Sequence, residues 1–202
     1  MSLQRGGWIQ DSWVPSWVRH EHQARYRFAA AFLQGKTVVD CACGGGLGSQ
    51  VFAQAGARAV VGFDRCAAAV AAAQRRCTFP LVQFGVADAR RLPLPNHMVD
   101  VYIALETIEH LSPETAFVAE VVRVLTPDGL LICSTPNRSI TNPGTASTHR
   151  PWNRFHLREY TSRELLGLLT TAFHEVQCYG QNRQSHARMR LMERLVPLMP
   201  NG

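Results

Sequence analysis

A chain of 202 residues, 46% of them apolar, is long enough for one domain with a full core, and no run approaches the ~18 apolar residues of a membrane span. With no charged-then-apolar leader and six cysteines lacking paired C-x-x-C spacing, the expectation is a soluble, cytoplasmic protein with free thiols rather than a secreted disulfide scaffold. The net charge of +6 is almost all arginine, Lys36 being the only lysine, and from Gly129 to Arg158 no acid balances Arg138, Arg150, Arg154 and Arg158; such a stretch is either solvated surface or a surface that meets an anionic acceptor.

The first segment holds Trp8, Trp13 and Trp17, three of the four tryptophans, and is expected to be an arm, a lid or a dimer contact. Thr37–Cys41 is a short β-rich run closed by glycines. Ala59–Phe63 is a second strand, followed by an alanine-rich helix from Ala67 to about Arg76. Leu81–Val86 and Val99–Leu105 are further strands. Ser112-Pro113 predicts a helix start, with Phe117, Val118, Val121, Val122 and Leu125 as its apolar stripe. Pro127-Asp128-Gly129 predicts a turn before a strand at Leu130–Ser134. Residues 136–155, rich in Pro, Asn, Thr and Ser, form a loop long enough to roof an acceptor. Thr161 and Glu164 fit a capping box for a helix continuing through Leu165, Leu166, Leu168, Leu169 and Phe173. Glu175–Tyr179 is the last expected strand, and Arg183–Met199 reads as a basic helix.

This alternation predicts an α/β fold, a mostly parallel central sheet with helices on both faces. The expected division is an arm at 1–19, a domain at 20–182 and a basic C-terminal helix or tail at 183–202. In such sheets ligands lie beyond the carboxyl ends of the strands. There, Asp40 to Gly48 is glycine-rich, and Asp64, 24 residues after Asp40, ends the second strand. An acid at that place either accepts from both ribose hydroxyls or caps the next helix.

Val38-Val39-Asp40-Cys41-Ala42-Cys43-Gly44-Gly45-Gly46 resembles the first motif of class I S-adenosylmethionine-dependent methyltransferases, hydrophobic-Asp-x-Gly-Cys-Gly-x-Gly. Ala42 replaces its first glycine, which matters most where the backbone is left-handed. Ala104 to Leu111, Glu120 to Gly129 and Ser134 to Arg138 are also similar to this superfamily, in particular to bacterial glycan-pathway, natural-product and ubiquinone-biosynthesis enzymes. The resemblance implies a Rossmann-like fold, here with no seventh strand legible after Tyr179, and S-adenosylmethionine as cofactor, leaving as S-adenosylhomocysteine. It implies cofactor contacts at Asp40, Ala42, Cys43, Gly44, Gly46, Asp64, Arg65, Leu105 and Glu106. Asp88 and Ala89 would meet adenine, with an Asx turn as the plain alternative at Asp88. A helix preceding the first strand would bring Arg25 or Tyr26 to the methionine end, packing being the alternative.

On the acceptor side, Glu106-x-x-Glu109-His110 has the spacing that gathers three side chains on one helical face, and His156 follows beyond the long loop. Glu106, Glu109, His110 and His156 are therefore candidate ligands of a divalent cation. The set resembles sites in ubiquinone-pathway O-methyltransferases and small-RNA 2′-O-methyltransferases, although the same motif recurs in relatives without metal. Without metal, His110 or His156 is the candidate general base. The expected acceptor is a small molecule, sugar-like or anionic, methylated on O or N; membrane insertion is not expected. RNA methylation and a silent cofactor-binding subunit stay open as alternatives, the former weakened by the lack of an added RNA-binding module. A nicotinamide dehydrogenase is disfavoured by its different glycine spacing.

Overall fold

A computed structural model describes residues 16–181. The expected arm up to residue 15, with Trp8 and Trp13, and the expected helix at 183–199 lie outside the described residues. The chain divides into two compact units, 1–134 and 135–202.

The first unit is built on a five-stranded sheet ordered β3-β2-β1-β4-β5 and parallel at every pairing, with β1 Thr37–Cys41, β2 Ala59–Asp64, β3 Val82–Val86, β4 Val99–Leu105 and β5 Leu125–Ser134. Register follows sequence order, Asp40 lying beside Gly62 and Ile103. The central strands are apolar on both faces because both are covered. On one face Val38, Val60, Val101, Ile103 and Ile132 pack with Ala29 of α1 (Ser16–Ala30) and Phe52 and Ala53 of α2 (Leu47–Gln54). Behind the other, Phe117 of α4 (Glu114–Val124) meets Tyr102 edge-on, ring centroids 6.0 Å apart. Helix α3 (Ala67–Arg76) follows β2 as expected.

Two details of this unit differ from expectation. The turn at Pro127-Asp128-Gly129 lies inside β5, where Leu125 to Leu130 oppose only Val99 to Val101. The extra residues are absorbed as a bulge on the outer strand, a place that tolerates proline because its missing N–H is needed least there. On α4, Val124 rather than Val122 completes the buried stripe, Val122 being exposed.

The second unit contains α5 (Arg138–Thr141), a single turn inside the expected loop, and α6 (Ser162–Leu169). Thr161 and Glu164 form the expected capping box, each side chain bonded to the other's backbone N–H. The helix ends before Phe173, because the Thr170 and Thr171 hydroxyls bond back to the carbonyls of Leu166 and Leu168 and compete with continuation. Glu175–Tyr179 is not a strand. Its polar side chains bond along their own chain, Gln177 to Glu175 and Tyr179 to Gln177, and no ladder forms. Among the described residues no helix is long and apolar enough to cross a membrane.

Candidate functional site

The strand order reverses direction between β1 and β4, so their carboxyl ends open a crevice. Its floor is the loop after β1. Ala42, Gly44 and Gly46 all have positive φ, at 59°, 52° and 78°. Cys43 N–H donates to the Phe63 carbonyl at 3.0 Å and Gly44 N–H to Asp64 Oδ2 at 2.9 Å, tying the loop to the end of β2. At Gly46 a Cβ would lie 2.7 Å from the Phe84 ring, so only glycine lets the loop close over β3 and enter α2. Gly48 is required by contact alone, since a Cβ there would meet the Tyr26 ring at 2.9 Å.

Ala42 stands in the left-handed region that the motif reserves for glycine. A Cβ there strains the backbone by roughly 1–2 kcal/mol. After allowing for the greater freedom of unfolded glycine, Ala42→Gly is expected to stabilise the fold by about 1 kcal/mol, raising the unfolding temperature by about 2–4 °C in calorimetry. A lowered midpoint would show that Ala42 is unstrained.

Asp64 uses both oxygens within the protein: Oδ2 accepts from Gly44, and Oδ1 from Cys66 N–H at 2.8 Å. The helix-cap alternative does not hold, because the N-cap of α3 is Cys66 and has no side-chain cap, Asp64 bonding only the N–H of that residue; each Asp64 oxygen keeps a second lone pair. Arg65 beside it is exposed. Asp40 is buried and accepts from Ser49 Oγ at 2.5 Å; burial pushes its carboxyl up to about 7.

Asp88 forms an Asx turn, accepting from Arg90 N–H at 2.9 Å, and a two-bond pair with the Arg90 guanidinium. Those bonds bring its carboxyl down to about 2. Ala89 is half-buried in the same turn.

On the β4 side, Leu105 packs against the core and Glu106 takes a positive φ of 52°. Glu106 therefore does not share a helical face with Glu109 and His110, contrary to the spacing argument; the tight helical turn begins only at Ile108. The Glu106 carboxylate turns back instead, accepting from Ser134 Oγ at 2.7 Å and pairing with Arg25 Nε at 3.5 Å. Arg25 Nη1 is buried and has no hydrogen-bond partner among the described residues. Tyr26 packs edge-on against Phe52, centroids 5.9 Å apart, and burial raises its phenol well above the usual range. Glu109 is completely buried, one oxygen 4.0 Å from His110 Nε2. In the second unit His156 is buried and bonded at both ring nitrogens, to Glu159 and Asn153.

Sequence reasoning missed Ser49, Ser134 and Arg90 as supports of the acids. Ser134 had a legible signal, a polar residue ending an apolar strand beside β4. Ser49 and Arg90 had none, because ordinary helix and turn positions look alike in sequence.

Residues 39–133 match the family described as a methyltransferase domain. Over that stretch the chain is similar in sequence to methyltransferase domains. A probable S-adenosylmethionine-dependent methyltransferase of Mycolicibacterium smegmatis is 39% identical over 161 residues, 80% of this chain and 60% of that protein. A ubiquinone biosynthesis O-methyltransferase of Azorhizobium caulinodans is 30% identical over 154 residues, covering 68% of this chain and 59% of that protein. The chain thus spans less than two thirds of the length of either. The solved S-adenosylmethionine-dependent methyltransferase of Mesorhizobium loti shares the fold, with a TM-score of 0.67 at 18% identity over 88% of this chain and 91% of that one. S-adenosylmethionine is the cofactor that the methyltransferase domain implies, and the orphaned Arg25 Nη1 fits it, because a carboxylate is the group that a buried guanidinium N–H lacks.

Proposed function

We propose that this chain transfers a methyl group from S-adenosylmethionine to an oxygen or nitrogen of a small, sugar-like or anionic acceptor. The observation that carries the reading is Arg25. Its guanidinium is held by Glu106 at the end of β4, and one buried nitrogen has no partner among the described residues. Leaving a charged donor unmatched in the fold is costly, so the site is completed by an anionic group from outside.

Asp64 would take the ribose hydroxyls with its remaining lone pairs, next to the backbone of Ala42, Cys43, Gly44 and Gly46. Asp88 and Ala89 would meet the adenine edge, Asp88 exchanging part of its Arg90 pair for the exocyclic amine. Leu105 would pack beside the nucleoside. Arg25 would hold the methionine carboxylate, with Glu106 orienting it. The bound sulfonium supplies an activated methyl group, so the protein's work is to align the acceptor and, for a hydroxyl, to remove its proton. His110 is the residue for that proton. A divalent cation would draw on Glu109 and His110 rather than Glu106, whose carboxylate is already engaged by Arg25 and Ser134. Of the arginines between Gly129 and Arg158, Arg138 is buried and paired with Glu164, so the exposed Arg150 and Arg154 are the ones that support an anionic acceptor.

The test compares two ligands by calorimetry: S-adenosylhomocysteine and methylthioadenosine, which lacks the carboxylate. The intact chain is expected to prefer S-adenosylhomocysteine, and Arg25→Ala to lose about 1.5–3 kcal/mol of that preference while binding methylthioadenosine unchanged. Equal losses for both ligands would make Arg25 structural, and no binding of either would end the methyltransferase reading.

A further inference from the structure

The turn that carries Asp88 and Ala89 is fastened on both sides. On its near side Ala87 N–H donates to the Asp64 carbonyl at 3.1 Å, and Arg91 N–H closes it on the Asp88 carbonyl at 2.9 Å. On its far side comes Leu92-Pro93-Leu94-Pro95, where the two prolines have no N–H with which the loop could hold itself. Arg90 also ties the turn to the Ser112 carbonyl at 2.5 Å, but through an exposed side chain that water screens.

The far side is held instead by helix α4. Leu92 N–H donates to Glu120 Oε1 at 2.5 Å, and Leu92 is itself buried. Arg123, one helical turn beyond Glu120, donates from Nε to Glu120 Oε2 at 2.8 Å and from Nη2 to Glu120 Oε1 at 2.6 Å. Its Nη2 also reaches the Leu92 carbonyl at 3.1 Å, and Nη1 reaches the Leu94 carbonyl at 2.7 Å and Asn96 Oδ1 at 2.9 Å. Every N–H of the guanidinium is thus used, in a fork that a lysine ammonium could not supply. Glu120 is buried, which works against its charge, but Arg123 and the Leu92 N–H outweigh burial and hold it below the ordinary carboxylate range. A buried ion pair gives little net stability over apolar side chains of the same volume, so what this one adds is geometry. It fixes where Leu92 lies, and with it the far end of the Asp88 turn.

We infer that Glu120 and Arg123 are positioning residues for the cofactor, setting from α4, through Leu92, the turn by which Asp88 and Ala89 read the base. This rests on reading that turn as the adenine contact.

The test is calorimetry of the full chain with S-adenosylhomocysteine and with S-inosylhomocysteine, in which a carbonyl oxygen replaces the amine of the base and repels the Asp88 carboxylate. The intact chain is expected to bind the first about 10-fold more tightly. Glu120→Gln turns an amide nitrogen toward an Arg123 donor, and Arg123→Lys loses the fork. Each should reduce the ratio to about 3-fold or less, with affinity for the inosyl ligand nearly unchanged. A clamp that served stability alone would lower the unfolding temperature and leave the ratio as it was. An undiminished ratio in either folded variant would therefore overturn the inference and leave the adenine contact standing. Equal affinity of the intact chain for both ligands would overturn the adenine contact, and the inference with it. A second measurement needs no substitution, because coupling is reciprocal: a clamp that favours adenine binding is itself tightened by it. At equal saturation S-adenosylhomocysteine should slow hydrogen exchange of the Leu92 N–H severalfold more than S-inosylhomocysteine does. Equal protection by the two ligands would overturn the inference even where no variant folds.

Discussion

Asp64→Ala is expected to weaken S-adenosylhomocysteine binding by about 1–3 kcal/mol, roughly 5- to 150-fold in Kd. The loss has two sources in the structure. The carboxylate is placed for the ribose at the end of β2, and it also anchors Gly44 N–H at 2.9 Å and Cys66 N–H at 2.8 Å. Removing it therefore frees the loop that approaches the cofactor as well as deleting a contact. Asp64→Asn separates the two. One amide oxygen still accepts a backbone N–H, so thermal stability should recover in part, whereas affinity should stay low because the charge and one acceptor are gone. If Asp64→Asn binds as tightly as the unsubstituted chain, Asp64 serves the loop and not the ribose.

A second large effect is expected in the pH dependence of stability. Burial raises the Asp40 carboxyl from 3.8 to about 7, with the charge of Asp64 adding to the rise and the Ser49 hydroxyl opposing it. Below pH 4 the group is protonated in both states and has no effect. As pH rises through 4 to 7 the unfolded chain releases its proton and the folded chain keeps it, so stability falls, by about 4 kcal/mol in all. His22 acts in the opposite sense: burial, helped by the Arg25 charge, lowers it from 6.5 to about 4. A histidine kept neutral in the fold adds stability as pH rises through 4 to 6.5, so the two slopes largely cancel in the intact chain. Asp40→Asn retains an acceptor for Ser49 but cannot ionise, and it should uncover the rising histidine slope. In urea titrations at pH 4, 5.5 and 7 its advantage over the intact chain should grow with each step. Parallel profiles would show that Asp40 is not held protonated.

Much of this architecture was legible before any coordinates, for identifiable reasons. Strands β1 and β4 are buried on both faces, so they read as continuous apolar runs with turn residues at their ends. The capping box at Thr161 and Glu164 is a local device, complete within four residues. What failed was decided by distant partners. Pro127-Asp128-Gly129 has the local chemistry of a turn but is held in β5 by β4. Glu175–Tyr179 has some of the composition of a strand but gains no ladder. Glu106 is set apart from Glu109 and His110 by its own φ, which spacing cannot express.

By itself, the order of residues determined a parallel α/β sheet, the glycine loop after its first strand and the acids that end its first two strands. Those features depend on near neighbours: side-chain periodicity, glycine's lack of a Cβ and the distance from one strand end to the next. Only the tertiary structure decided that Ala42 stands in a left-handed turn and that Arg25, beside Glu106, keeps a buried donor with no partner among the described residues. It also decided that Asp40 holds its proton near neutrality and that His156 is oriented from both sides. Strain, desolvation and hydrogen-bond saturation arise from groups far apart in the chain, and these come together only when the backbone has closed around them.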